Sequence, residues 1–409
     1  MKIWKKIDKW ISAFFIFLIK IYQYILSPDK GIPSLWLKGR ICMHEPHCSE
    51  YGIRVFRRYG VFRGLFLTSD RVLHCTGGMN KIYDPEFYKV VFFSSAPIGV
   101  DFLKELSEDK RFEIVGIVTQ CDKPVGRGME MCENIIKSES KKLKIDNTDI
   151  VTPNKLNPEK SDEGKEFAQR LKNKEPDFLV VIAYGKIIPQ AILDIPKIAP
   201  INIHGSLLEK YRGASPIQSI FLNNEKETGI TIMKMDAGMD TGNMIEKLKF
   251  QIPFDWTCKD VIAKMKETGP KFLNNVLWKY GKGLLGEEIQ NNDKATYCSK
   301  IEKESALIDP WKDSLEDIYN KYRGFYLRPK IYFELNGKRV IVEELKLDEN
   351  LFEENKKNTL LNLVSFRKEV AGTKGMTEDL LNPSVIEIKV KPEGKKVMDW
   401  DGFKNGYLK

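Results

Sequence analysis

The chain has 409 residues, 42% apolar and 30% charged, with no low-complexity tract or internal repeat. That composition is globular, and the length exceeds one ordinary hydrophobic core, so about two to four domains are expected. Residues Met1 to Asp84 hold 14 Lys/Arg against 6 Asp/Glu, so +8 of the net charge of +9 sits in the first module and +1 in all the rest. A small, basic, aromatic-rich module points to an anionic partner surface, membrane or nucleic acid. Seven cysteines, an odd and scattered set, make no secreted disulfide framework and favour a reducing compartment.

The first module opens with Lys2, Lys5, Lys6 and Lys9 ahead of an apolar run from Trp10 to Leu26. No small-residue cleavage site follows, which argues against a signal peptide. The uncharged run between Lys9 and Lys20 is 10 residues, whereas a spanning helix needs about 20. A helix lying in the membrane interface fits better, with the lysines at the headgroups and Trp4, Trp10, Phe14, Phe15, Phe17 and Leu18 in the acyl boundary. The alternatives are a core helix of a small soluble domain and a short span. Further on, Cys42, His44, His47, Cys48, His74 and Cys75 place three of the chain's four histidines beside three cysteines. Thiolates and imidazoles hold zinc, but no pair is spaced C-x-x-C, so no metal is assigned. Residues Tyr51 to Leu73 predict a basic amphipathic helix pair broken at Gly60.

Several of these segments resemble the membrane protein insertion efficiency factor (YidD-like) family. They are Tyr22-Gln23-Tyr24, Ser27-Pro28, Cys48-Ser49-Glu50-Tyr51, Gly64-Leu65, Arg71, Cys75 and Tyr83-Asp84-Pro85. The resemblance implies that residues 1–85 form a helical membrane-associated module on the cytoplasmic face of the inner membrane. It implies contact with an anionic membrane surface and with the membrane protein insertion machinery, and it supplies no catalytic residues. The three histidines stand outside its motif.

Almost no linker follows before Lys89 to Ser94, a buried-strand pattern. A helix over Ile98 to Leu106, a strand over Phe112 to Thr119, and strands over Asp177 to Ala183 and Ala199 to His204 come next, with a Pro189-led helix between the last two. Alternating strands and helices predict an α/β domain with a Rossmann-like parallel sheet, with ligands at the carboxyl ends of its strands. The first turn reads Ser94-Ser95-Ala96-Pro97 rather than G-x-G-x-x-G, and no G-x-x-x-x-G-K-[ST] occurs. Neither a dinucleotide nor ATP is supported.

Asn202 and His204 lie two apart at the end of the last strand, on one face of it. Ser215, Pro216 and Gln218 then predict a capping box opening a helix. A strand over Gly229 to Met235 delivers Asp240 on a glycine-flanked loop. An amide can donate to an oxygen gaining negative charge, an imidazole can move a proton near neutral pH, and a carboxylate can hold that imidazole. The set suits acyl transfer to an amine.

The flanking motifs resemble the methionyl-tRNA formyltransferase family. They are Asn202-x-His204-Gly205-Ser206-Leu207-Leu208, Tyr211-Arg212-Gly213-Ala214, Pro216-Ile217-Gln218, Thr228-Gly229-Ile230-Thr231 and Asp240-Thr241-Gly242. The resemblance implies that Asn202, His204 and Asp240 are the catalytic trio. It implies that 10-formyltetrahydrofolate serves as co-substrate beside Tyr184, Gly185, Ile187, Ser206, Leu207 and Leu208, with no tightly bound cofactor. It also makes initiator methionyl-tRNA the partner of Lys123, Gly126, Arg127 and Gly128, with Arg212 either structural or facing the tRNA end. Glu209 and Cys121 stand where the family commonly has proline. The catalytic domain is placed at 87–283.

Beyond Asn291-Asn292-Asp293, taken as a linker, Tyr332 to Leu335, Asn336-Gly337 and Lys338 to Leu347 predict a tight hairpin, and Val385 to Val390 another strand. These suggest that 295–409 is a small OB-like β-barrel. Lys330, Lys338, Arg339, Lys389, Lys391, Lys395 and Lys396 would track RNA. Glu353 to Asn358 and Lys368 to Thr377 are taken as polar insertions. Two other readings stand beside this one: a formyltransferase for a purine precursor or nucleotide sugar, and an insertion factor with an inactive enzyme domain.

Overall fold

The computed structural model describes residues 2–28, 30–36, 42, 44–73, 82–125, 129–143, 145, 150–357 and 385–407. Gly126, Arg127, Gly128, His74, Cys75, the 368–377 segment and the side chains of Lys2, Trp4, Lys5 and Lys6 lie outside the described residues. The chain divides into two compact units. One comprises Met1–Lys89 with Asp109–Glu113 and Gly281–Leu284, and the other holds the remainder.

The first unit is helical. Helix α1 (Lys2–Ile25) is followed by a two-residue strand β1 (His44–Glu45), helices α2 (Cys48–Tyr59) and α3 (Val61–Leu73), and strand β2 (Ile82–Tyr83), parallel to β1. The break between α2 and α3 falls at Gly60, as the sequence predicts, and the Val61 N–H is capped by Asp8 Oδ1 at 2.9 Å. One side of α1 packs on α2, where the Phe15 and Phe56 rings stack at 5.2 Å. Gln23 donates to Ser49 from that same side. The opposite side leaves Trp10, Phe14, Phe17, Leu18, Ile21 and Ile25 exposed, a stripe at helical spacing. Among the described residues, no helix is long and apolar enough to cross a membrane. Buried Arg71 lies over the Tyr51 ring and donates to Pro46 O and to the Asp84 carboxylate. That guanidinium ties the two helices to both short strands.

The second unit is built on a seven-stranded sheet. Its elements are β3 (Tyr88–Ser94), α4 (Ile98–Glu108), β4 (Phe112–Val118), the hairpin β5 (Lys123–Val125) and β6 (Glu130–Cys132), α5 (Ile135–Lys142), β7 (Ile150–Val151), α6 (Asp162–Lys174) and β8 (Phe178–Ile182). Then come α7 (Gln190–Leu193), β9 (Ala199–His204), β10 (Arg212–Gly213), α8 (Pro216–Leu222), β11 (Glu227–Lys234), β12 (Met244–Gln251) and α9 (Cys258–Gly281). The strand order is β12-β11-β9-β8-β3-β4-β7. Strands β3, β8 and β9 run parallel, but β11 is antiparallel to both β9 and β12. The expected Rossmann-like parallel sheet is present, with one reversed strand, β11, lying next to the edge strand β12. The loop from β11 to β12 is too short for the crossover that parallel neighbours require.

Runs such as Val90 to Phe93 and Phe178 to Val180 are wholly buried because helices cover both faces. On one face Phe93, Leu179 and Val181 pack with Phe167 and Leu171 of α6. On the other, α9 approaches α4 so closely at Gly269 that a Cβ there would lie 2.5 Å from Phe102 Cζ and 2.7 Å from Ile230 Cδ1.

The C-terminal part is a β-sheet domain. Strand β13 (Tyr297–Cys298) pairs with β10. Helix α10 (Leu315–Gly324), β14 (Tyr332–Leu335), β15 (Lys338–Leu347), α11 (Glu349–Asn355), β16 (Val385–Pro392), β17 (Met398–Asp399) and α12 (Trp400–Tyr407) complete it. The predicted hairpin forms in the predicted register, with Asn336 and Gly337 both at positive φ. A small barrel is expected; among the described residues the four strands pair in the order β14-β15-β16-β17. Residues 353–355, read as an insertion, belong to α11, capped by Asp348. A 3-10 turn at Asn292–Lys294 overlaps the expected linker Asn291-Asn292-Asp293.

Replacing Gly269 by Val should drive a branched side chain into Phe102 and Ile230. The expected cost is roughly 1–3 kcal/mol, seen as a lower urea midpoint at unchanged slope.

Candidate active site

Strand β9 places Asn202 and His204 on one face of the sheet, two residues apart. Its antiparallel partner sets Met233 opposite Asn202 and Thr231 opposite His204, while Lys234 ends β11 opposite Ile201. The loop after β11 must therefore turn back along the face to bring Asp240 over that pair. It does so with Asp240 at φ 55, a left-handed conformation that aspartate tolerates better than most residues. Asp240 Oδ1 accepts from Asn202 Nδ2 at 3.1 Å. Asp240 Oδ2 accepts from the Gly213 N–H at 2.9 Å and lies 3.5 Å from His204 Nδ1. His204 Nε2 donates to the Tyr211 carbonyl at 2.9 Å. A carbonyl can only accept, so Nε2 carries a proton, and Nδ1 is the ring nitrogen that faces the carboxylate.

Two features hold this arrangement. Gly213 sits at φ +121, where a Cβ would stand 2.2 Å from the Cys298 carbonyl oxygen. Only glycine lets β10 pair with β13 and aim its N–H at Asp240. Gln290 Nε2 donates to the carbonyls of Asp240 and Gly242 at 2.9 and 2.6 Å, fixing the loop from behind. Gln290 Oε1 in turn accepts from Arg212 Nε at 2.9 Å. Arg212 is 1% exposed, with its other nitrogens on Tyr297 and Asn292. The guanidinium is spent inside the protein, so the expected tRNA contact for Arg212 gives way to its structural alternative.

The other expected contacts divide in the same way. The Ser206 hydroxyl is buried and donates to the Lys210 carbonyl, and Leu208 packs with Met233 and Met244. Both shape the turn, which Thr231 secures by donating to Ser206 O and accepting from the Leu208 N–H. Leu207 is half-buried. Beyond β8, the Tyr184 ring is buried edge-on against Phe93 at 5.4 Å, and burial pushes its phenol up. Gly185 has positive φ and Ile187 is 83% exposed, so this segment offers backbone and one apolar side chain. Lys123 is exposed and donates to Gln120 Oε1, while Gln120 Nε2 donates to Tyr184 O. Gln120 thus joins the base of the β5–β6 hairpin to the turn after β8. The predicted capping box does not form. Pro216 occupies the first turn of α8, but the Ser215 side chain makes no cap bond, and its carbonyl accepts from Ser219 instead. Gln290, Gln120 and the Gly213 N–H were not found from the sequence. They lie far from the motifs or act through backbone, and no local pattern marks them.

A carboxylate between an amide and an imidazole at the sheet face has the groups that acyl transfer uses. Residues 88–277 match the family model described as formyl transferase, residues 300–408 that of the formyl transferase C-terminal domain, and residues 11–86 that of a putative membrane protein insertion efficiency factor. The chain is a formyltransferase with a further N-terminal module. It is 38% identical to the methionyl-tRNA formyltransferase of Clostridioides difficile over 61% of this chain and 77% of the relative. It is 34% identical to that of Clostridium novyi over 74% and 95%. Among solved structures, HypX from Aquifex aeolicus in complex with tetrahydrofolic acid covers 79% of this chain and 48% of its own, at 14% identity and a TM-score of 0.48. The chain belongs to the methionyl-tRNA formyltransferase family.

Replacing Gln290 by Ala should leave two loop carbonyls and the buried Arg212 Nε–H without partners. The unfolding free energy should fall by about 1–3 kcal/mol, read by chemical denaturation.

Proposed function

We propose that the chain transfers the formyl group of 10-formyltetrahydrofolate to the amino group of methionine carried by initiator tRNA, the modification used in translation initiation. The observation that carries this reading is the single Asp240 carboxylate held between Asn202 and His204. Family membership supports the methionyl-tRNA substrate, and the match of residues 300–408 to the formyltransferase C-terminal model supports it over a purine precursor or nucleotide sugar. The intact trio speaks against an inactive enzyme domain.

In this reaction the amine nitrogen attacks the formyl carbon, a new C–N bond forms, the bond to folate N10 breaks, and one amine proton ends on N10. The formyl oxygen gains negative charge in the tetrahedral intermediate. Asn202 Nδ2 carries two hydrogens, and its bond to Asp240 uses one, leaving the other for that oxygen. His204, its Nε2 held by Tyr211, exchanges the proton at Nδ1. Asp240, clamped by the Gly213 N–H, orients the imidazole and takes up the proton leaving the amine. Exposed Lys123, together with Gly126, Arg127 and Gly128, is assigned to the tRNA acceptor end. The turn at Gly185 and Ile187 is assigned to the pterin with Leu207.

Residues 1–85 are read as the part that rests on an anionic membrane surface and meets the insertion machinery, on the cytoplasmic face. The exposed apolar stripe of α1 supports this, since packing buries only its other side.

The test is formylation of charged initiator tRNA by the full chain. Asn202→Ala should lower kcat about 10²–10³-fold, with tRNA affinity within about twofold. Unchanged kcat with lost tRNA affinity would overturn the assignment. For the first unit, replacing Trp10, Phe14 and Phe17 together by Ser should weaken sedimentation with phosphatidylserine-containing vesicles more than about tenfold, and undiminished binding would remove α1 from the contact.

A further inference from the structure

We propose that Cys42, His44 and Cys48 form a metal site of the zinc class in the first unit, independent of the formyl-transfer chemistry. Their ligand atoms all lie within 4.8 Å of one another. Cys42 Sγ and Cys48 Sγ are 3.7 Å apart, and Cys48 Sγ is 3.6 Å from His44 Nδ1. A tetrahedral zinc with its usual sulfur and nitrogen bond lengths sets those two edges at about 3.8 and about 3.6 Å. Two edges of the cluster thus match those of a coordination tetrahedron, and the third is no longer than 4.8 Å. The two cysteines are not joined in a disulfide.

The local fold explains how a C-x-H-x-x-x-C run does this without the paired C-x-x-C spacing. His44 is buried at the start of β1, where pairing with Ile82 fixes its backbone. The chain then turns, and Arg71 holds that turn by donating to Pro46 O at 2.7 Å. Cys48 emerges as the first residue of α2. The Cys48 N–H points at Cys42 Sγ at 3.4 Å, a backbone bond that spreads negative charge from a coordinating sulfur. Binding a divalent ion displaces two thiol protons to solvent and leaves the two thiolates, neutral imidazole and ion with no net charge. No electron is transferred. Three protein ligands leave the fourth corner to water or another donor. The site would clamp β1 to the start of α2.

The test uses the full chain, reduced and freed of metal, titrated with Co²⁺ and then Zn²⁺. The expected result is one Co²⁺ per chain, with thiolate-to-cobalt charge-transfer absorption and the visible bands of a tetrahedral ion, both lost when Zn²⁺ is added. Cys42→Ser and Cys48→Ser should each abolish the bands, while Cys132→Ser, on the β5–β6 hairpin, should keep them. Since a serine variant could fail by unfolding the unit, His44→Cys supplies the complement. It should keep the bands with charge-transfer intensity raised by about half, as three thiolates replace two. The proposal is overturned if the native chain shows no charge-transfer band, if either serine variant keeps full intensity, or if His44→Cys leaves the spectrum unchanged.

Discussion

The Asp240 carboxylate accepts from the Asn202 amide through one oxygen and from the Gly213 N–H through the other, and the surroundings are built to keep those two oxygens still. A carboxylate in a loop over a sheet would ordinarily sample many positions. Here Gln290 holds the loop by two carbonyls, and Arg212 holds Gln290. The buried guanidinium is itself satisfied by Asn292 and Tyr297. A chain of hydrogen bonds thus runs from the segment after α9 to the reacting face. Gln290 and Arg212 are buried, so removing a partner of either leaves a buried polar group unpaired.

The reversed strand β11 is the architectural counterpart of that chain. Because β11 runs antiparallel to β9, the loop carrying Asp240 starts below Asn202 and must double back. Doubling back puts the carboxylate over the strand face rather than beyond its end. The same reversal sets Thr231 across from His204, where its hydroxyl stitches the Ser206 to Leu208 turn. Pairing of β10 with β13 brings the start of the C-terminal part to within a hydrogen bond of the site. The glycine at 213 is the consequence, since any side chain there would meet the Cys298 carbonyl.

The first unit follows a different logic. Among its described residues few apolar side chains are buried, and Arg71 supplies at one point what a larger core would supply over an area. Helix α1 shows the consequence for function. One of its apolar sides packs on α2, and the other, with Trp10, Phe14 and Phe17, is exposed, which is what the proposed membrane contact uses.

Local chemistry settled a good deal. Alternating apolar runs marked β9, the Asn336-Gly337 pair fixed the hairpin register, Gly60 broke the helix pair, and the N-x-H and D-T-G motifs marked Asn202, His204 and Asp240, which the fold brings together. Each of these depends on residues within a few positions of one another, so the sequence carries it directly. Tertiary structure decided what depends on distant partners. Arg212 reads as a basic residue beside a binding motif, yet burial beside Gln290 and Tyr297 makes it a strut. Ser215 has the chemistry of a cap, but its backbone geometry gives the bond to Ser219. Cys42, His44 and Cys48 lack a metal-binding spacing on paper and acquire one only when β1 and α2 fold about the Pro46 turn. Long-range packing chooses among the options that local chemistry leaves open, because burial and partner geometry are properties of the assembled chain and of no single segment.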